Sequence, residues 1–173
     1  PEIVLHLAGL ASVADSWGAA AACLSVNAVG TANLFDALRH AGSDARVVVV
    51  TSAEVYGRSR GDARFEENDP LRPMTPYGVS KAAQDLLAAQ QHLAGADVVR
   101  LRPFNHLGPG QPDGFVASSF ARQLAEIEAG LREPRMVVGN LSAARDFTDV
   151  RDVVRAYWAA ATSAPSGAVY NVC

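Results

Sequence analysis

The 173-residue chain predicts an α/β fold, a doubly wound parallel sheet with helices on both faces. Three observations carry this. Short apolar runs of strand length alternate with longer stretches whose apolar residues recur at steps of three and four. The short runs are β-branched and continuous, the texture of strands buried on both faces. Gly, Pro and polar residues separate the runs.

Ile3 to Leu7 is the first strand. Trp17, Ala21, Leu24, Ala28, Thr31, Phe35 and Leu38 mark one long amphipathic helix, ending near Ala41-Gly42, where glycine can take the left-handed cap. Val47 to Val50 is the second strand and runs out at Thr51-Ser52. Gly57 to Pro73 is polar and reads as a surface loop. Thr75 caps the next helix and Pro76 takes its first position. That helix carries Tyr77 and Lys81 and ends near Ala94-Gly95. Val98 to Leu101 is the third strand, stopped by Pro103. His106 to Gly114 is a turn-rich loop. Val116, Phe120, Leu124, Ile127 and Leu131 form another helical stripe, and Met136 to Val138 a short strand. Thr148 and Asp149 open a last helix with Val150, Val153, Val154 and Tyr157, and Ala168 to Cys173 reads as a closing strand.

About half the residues are hydrophobic, enough for one core of ordinary domain size. A net charge of −3 gives no basic footprint for nucleic acid. No apolar run approaches the ~20 residues of a membrane helix. Two cysteines, Cys23 and Cys173, form no disulfide framework and suit a reducing cytoplasm. No His, Cys or carboxylate cluster has metal-ligand spacing. Pro1 leads straight into an apolar run and the chain closes on another, the pattern of an internal piece of a longer protein.

In such sheets the site lies at the carboxyl ends of the strands. Leu7-Ala8-Gly9, Ser52 and Asn105 each follow a strand, and Tyr77 and Lys81 begin the helix after the Ser52 strand. Tyr77 and Lys81 lie four apart, on one face of their helix. An ammonium ion beside a phenol favours its ionised form, so the pair predicts an acidified tyrosine. With a serine hydroxyl on the same oxygen, the trio is a proton-transfer device for a carbonyl or alcohol, needing a hydride carrier to complete the chemistry. The alternative is a solvated Tyr–Lys pair on a helix surface.

His6-Leu7-Ala8-Gly9, Asn27 with Gly30-Thr31, Thr51 to Gly57, Tyr77 to Lys81 and Arg102-Pro103-Phe104-Asn105 occur in order. Together they resemble the extended short-chain dehydrogenase/reductase family of nucleotide-sugar epimerases, dehydratases and reductases. Arg102 to His106, Gly108 to Gln111, Val138 to Leu141 and Arg145 to Asp152 are most similar to the GDP-6-deoxy-4-keto-D-mannose reductases, with GDP-mannose 4,6-dehydratases next. The resemblance implies an incomplete Rossmann-type fold, with residues 1–103 the central and C-terminal part of its dinucleotide-binding domain. Residues 104–173 would add to the nucleotide-sugar region and supply the last sheet elements.

It implies an NAD(P) cofactor, a nucleotide-sugar substrate, a cytoplasmic protein and a homodimeric parent. Tyr77 would be the acid at O4, Lys81 would hold the nicotinamide ribose, and Ser52 would bond the same carbonyl oxygen. Leu7, Ala8, Gly9, Asn27 and Pro103 would contact the cofactor; Asn105, Val116 and Arg145 would contact the substrate. Duller readings stand beside these. Asn27 could be an internal hydrogen-bonding residue, Asn105 a turn cap, and Arg145 a surface partner of Asp146 or Asp149. His6 reads as a core histidine. Glu54 would be the base of a dehydratase, but the Ala53 before it cannot transfer protons, which favours a reductase over the alternatives, a GDP-mannose 4,6-dehydratase or a sugar-nucleotide 4-epimerase. A non-catalytic dinucleotide-sensing domain is the alternative of another class. The family's phosphate-binding glycine loop has no counterpart here: Gly108, Gly110 and Gly114 do not fit GxGxxG. The 173 residues alone are therefore expected to be inactive.

Overall fold

The valines Val47 to Val50 form the middle of a four-stranded sheet. The computed structural model describes residues 1–59 and 64–173, so part of the predicted loop from Gly57 to Pro73 lies outside the described residues. The strands are β1 (Ile3–His6), β2 (Arg46–Val50), β3 (Val98–Pro103), β4 (Asn105–Leu107), β5 (Phe147–Asp149) and β6 (Val169–Val172). The helices are α1 (Val13–Ser16), α2 (Ala20–Cys23), α3 (Gly30–His40), α4 (Pro76–Leu93), α5 (Val116–Glu128) and α6 (Val150–Ser163).

The main sheet runs β1-β2-β3-β6, every pair parallel. Alternate residues of β2 feed two separate cores. Val47 and Val49, with Val98, pack on Phe35 of α3 and Ala88 of α4. Val48 and Val50, with Val99 and Leu101, pack on Val153, Tyr157, Ala160 and Ala161 of α6. A strand covered on both faces has no polar side, which is why the run is unbroken valine. Burying its four valines contributes roughly 6–12 kcal/mol before chain entropy is subtracted.

The long helix departs from its sequence pattern. Its central segment, Leu24–Val29, is wound as a π-helix between α2 and α3. The wider turn brings residues four apart into line, and the buried face is Cys23, Asn27, Thr31 and Phe35. Trp17 precedes the helix and is 67% exposed, and Leu24 is 40% exposed, although the three-and-four stripe had placed both inward. Ala20–His40 is also long and apolar enough, by length and composition, to cross a membrane, contrary to the sequence reading. In this fold it is a layer over the sheet, with Asn27 and Thr31 hydrogen-bonded on its inner face. Gly42 ends it with a φ of 60°.

α4 begins as its sequence predicts: the Thr75 hydroxyl accepts from the Gly78 amide at 2.9 Å, and Pro76 is the first helical residue. The predicted strand at Met136 to Val138 does not form. Gln123 of α5 takes the place of a neighbouring strand: its carboxamide accepts from the Val137 amide at 2.7 Å and donates to the Val137 carbonyl at 3.0 Å. α5 stops at Glu128, short of Leu131. β4 and β5 pair in parallel beside the main sheet, Asn105 opposite Phe147 and Leu107 opposite Asp149. Asp149 ends β5 and caps α6, its side chain accepting from the Arg151 amide.

Candidate active site

The carboxyl ends of β1, β2 and β3 open onto one cavity of about 750 Å³. Leu7 and Gly9 line it from the β1 end, and Ser52 and Glu54 from the β2 end. Tyr77 and Lys81 enter from α4, and Pro103 and Asn105 from the β3 end. Val116 of α5 and Arg145, just before β5, complete the wall. The tyrosine and serine therefore share a cavity, as proton transfer to one oxygen requires.

Ser52 is extended (φ −171°, ψ 151°) and its Oγ accepts from the Glu54 amide at 3.2 Å, which starts the single 3₁₀ turn Ala53–Val55. Tyr77 is 8% exposed. Burial pushes its phenol above the ordinary value; the Ser52 hydroxyl works the other way, and the Glu54 carboxylate adds to the rise. Lys81 does not acidify Tyr77 in this geometry. Its ammonium donates instead to the Val50 carbonyl at 3.0 Å and to Gln84 Oε1 at 2.9 Å. Burial lowers Lys81 to about 8. The spacing put both groups on one face, as predicted, but a lysine this deep points its hydrogen bonds at the nearest backbone and amide oxygens.

Behind Lys81 lies a buried chain of polar groups. Gln84 Nε2 donates to Thr31 Oγ1 at 2.8 Å, and Thr31 donates to the Asn27 carbonyl at 2.6 Å. Thr31 has one proton, so His6 Nε2, 2.8 Å away, is the donor to it. Burial, then Lys81, lowers the His6 pKa, which keeps the ring neutral. His6 is the hydrogen-bonded core histidine of the sequence reading.

Two of the named cofactor contacts stand outside the cavity. Ala8 is exposed and does not line it. Asn27 is fully buried and clamps the loop after β1: its Oδ1 accepts from the Leu10 amide at 2.8 Å, and its Nδ2 donates to the Leu10 carbonyl and to Ser80 Oγ. A Cβ on Gly9 would sit 2.7 Å from that Oδ1, so the loop closes on Asn27 only because residue 9 is glycine. Arg145 makes no ion pair among the described residues; Asp149 pairs with Arg151 instead.

Sequence reasoning missed the support beneath the site. Asp85, 0% exposed, accepts from Arg102 Nε and Nη2 at 2.8 Å and from Arg100 Nη1 at 2.9 Å. Arg102 also donates to Tyr56 Oη and to the Glu67 carbonyl, at 2.8 Å each. Asp85 sits four residues after Lys81, a spacing that places both on the inner face of α4 and could have pointed to it. Residues Leu10 to Asp15, Phe147 and Tyr157 also line the cavity. Among the described residues no group of three or more His, Cys, Asp or Glu is gathered to hold a metal ion.

A family model described as NAD dependent epimerase/dehydratase matches residues 1–173. GDP-6-deoxy-D-mannose reductase of Pseudomonas aeruginosa is 42% identical over 176 residues, covering 100% of this chain and 58% of the relative. A dTDP-glucose 4,6-dehydratase of Streptomyces griseus is 36% identical over 170 residues, covering 98% and 50%. Among solved structures, RMD from Pseudomonas aeruginosa complexed with NADPH superposes with a TM-score of 0.96 at 41% identity, over 100% of this chain and 60% of that one. MoeE5 in complex with UDP-glucose and NAD gives 0.85 at 38% identity, over 99% and 56%. The chain thus spans between a half and three-fifths of the length of these relatives.

Proposed function

Because the chain belongs to the NAD dependent epimerase/dehydratase family, we propose that it is the catalytic core of a nucleotide-sugar oxidoreductase. The whole protein reduces the C4 ketone of a GDP-linked 4-keto-6-deoxyhexose with NAD(P)H. The observation that carries this reading is the meeting of Ser52, Tyr77 and Lys81 in one cavity that Arg145 also faces. The 42% identity to a GDP-6-deoxy-D-mannose reductase supports the substrate class.

The residues present fit the nicotinamide end of a dinucleotide. Gly9 lets the backbone after β1 run close, and Lys81, with two N–H groups on Val50 and Gln84, keeps a third for a ribose hydroxyl. A bound dinucleotide supplies the hydride. Tyr77, held protonated at neutral pH by its raised pKa, gives its proton to O4. Ser52 bonds the same oxygen. Lys81, charged below about pH 8, serves the ribose and not the phenol. Arg145, whose guanidinium makes no ion pair among the described residues, takes a diphosphate oxygen. Asn105 and Val116 face the sugar nucleotide.

The test uses the full-length protein with a GDP-4-keto-6-deoxyhexose and NADPH. Stoichiometric cofactor oxidation is expected, with Tyr77→Phe slowed by about 10²–10⁴. Cofactor left unchanged while GDP-mannose loses water would instead support a 4,6-dehydratase. That second reading is favoured by one observation, the Glu54 side chain in the same cavity, where a base for C5 belongs. A dinucleotide-sensing domain predicts biological activity that survives Tyr77→Phe with no turnover in either form.

The parent is proposed to be a cytoplasmic homodimer. Val79, Leu86 and Leu93 recur every seven residues on α4 and are exposed, forming one apolar stripe that a second copy would cover. Leu86→Glu should convert the full-length dimer to monomer in sedimentation; an unchanged mass refutes this.

A further inference from the structure

We propose that Tyr157, on α6, is a second phenol of the site and recognises the sugar, hydrogen-bonding a hydroxyl next to the carbon whose oxygen Tyr77 protonates. The inference rests on the nucleotide-sugar reading above. Tyr157 is 7% exposed, and its ring is fixed in the core between β2, β3 and α6. Its hydroxyl has no hydrogen-bond partner among the described residues, although a buried hydroxyl without one costs about 1–3 kcal/mol. The oxygen is not sealed in the core either: among the described residues the only enclosed side-chain oxygen lacking a partner is Asp97 Oδ1. Tyr157 lines one described cavity, the one that holds Ser52 and Tyr77. Its hydroxyl therefore opens into the site.

The two phenols are near enough that a charge on Tyr77 disfavours a charge on Tyr157. Burial, more than that neighbour, pushes Tyr157 up to about 12. At neutral pH it keeps its proton and offers one donor and one acceptor, the complement of an alcohol. Apolar packing alone would be served by phenylalanine. A tyrosine whose oxygen meets the cavity and no polar group among the described residues is placed to read a hydroxylated ligand. It is a positioning residue for the sugar, since Tyr77 already supplies the proton.

The experiment compares the full-length protein with its Tyr157→Phe variant, which keeps the ring and its packing. Calorimetry measures binding of GDP-mannose, of GDP and of NADPH. Tyr157→Phe should weaken GDP-mannose about tenfold, as one lost hydrogen bond predicts, and leave GDP and NADPH within twofold. Unchanged GDP-mannose affinity overturns the proposal. Equal weakening of all three ligands also overturns it, since the hydroxyl would then support the fold. A wild-type protein that binds GDP-mannose no better than GDP defeats the nucleotide-sugar reading itself, and this inference with it.

Discussion

Replacing Asp85 by asparagine removes one charge and almost no volume, yet it should be among the most damaging changes in the fold. The carboxylate is completely buried and takes a two-pronged contact from Arg102, a third bond from Arg100 and a fourth from Thr51 at 3.2 Å. Arg102 is itself 4% exposed. Burial opposes both charges, but the arginines hold Asp85 below its ordinary pKa, and Asp85 with Tyr56 holds Arg102 above its own. Breaking a buried pair by deleting one member costs about 3–5 kcal/mol, because the survivor is left charged in the interior. Asp85→Asn should lose that much in urea denaturation of the full-length protein. The loss should shrink when Arg102→Met is added, since the more deeply buried of the two cations is then gone and only the less buried Arg100 is left without its partner. The pH dependence has a definite sign. The folded-state pKa is depressed, so the stabilisation is complete above the unfolded value of about 3.9 and fades as pH falls through the folded one. The gap between wild type and variant should therefore close in acid. A loss under ~1 kcal/mol at pH 7, or strict additivity with Arg102→Met, would refute the reasoning.

Two further outcomes follow from the site. Lys81 titrates near 8 when folded and near ~10.4 when unfolded, so the folded state binds fewer protons between those values and stability rises with pH across them. Relative to Lys81→Met, the wild-type protein should gain up to about 3 kcal/mol from pH 8 to 10.5 in thermal denaturation; a constant difference rejects the buried, costly cation. Gly9→Ala would drive a methyl against Asn27 Oδ1, 2.7 Å away, and Lys81 Nζ, 3.5 Å away. NADPH affinity should fall at least tenfold, and a change below twofold would show that this loop is not a cofactor wall.

Strands, helix starts and the grouping of Ser52, Tyr77 and Lys81 at one cavity were legible because each leaves a local mark. Val47 to Val50 could be nothing but a doubly covered strand, and Thr75-Pro76 announces a helix in two letters. What stayed hidden is set by residues far apart in the chain. β4 and β5 have three residues each, too few to show a period, and they pair across a gap of forty positions. Met136 to Val138 has the composition of a strand, but a glutamine side chain satisfies its backbone. The Tyr77–Lys81 spacing was right about shared location and wrong about electrostatics, because the partners of Lys81, Val50 and Gln84, depend on depth. Asp85, Gln84 and Tyr157 looked like ordinary helix residues until the sheet stood beside them.

The loosened winding at Leu24–Val29 has a consequence for how this molecule can change. One residue removed there would restore ordinary pitch and swing everything upstream by about 100°. Asn27 would lose its grip on the backbone of Leu10, while the half that lies on Val47 and Val49 kept its place. The helix thus behaves as two coaxial parts with an adjustable phase between them, one part belonging to the core and the other to the mouth of the cavity.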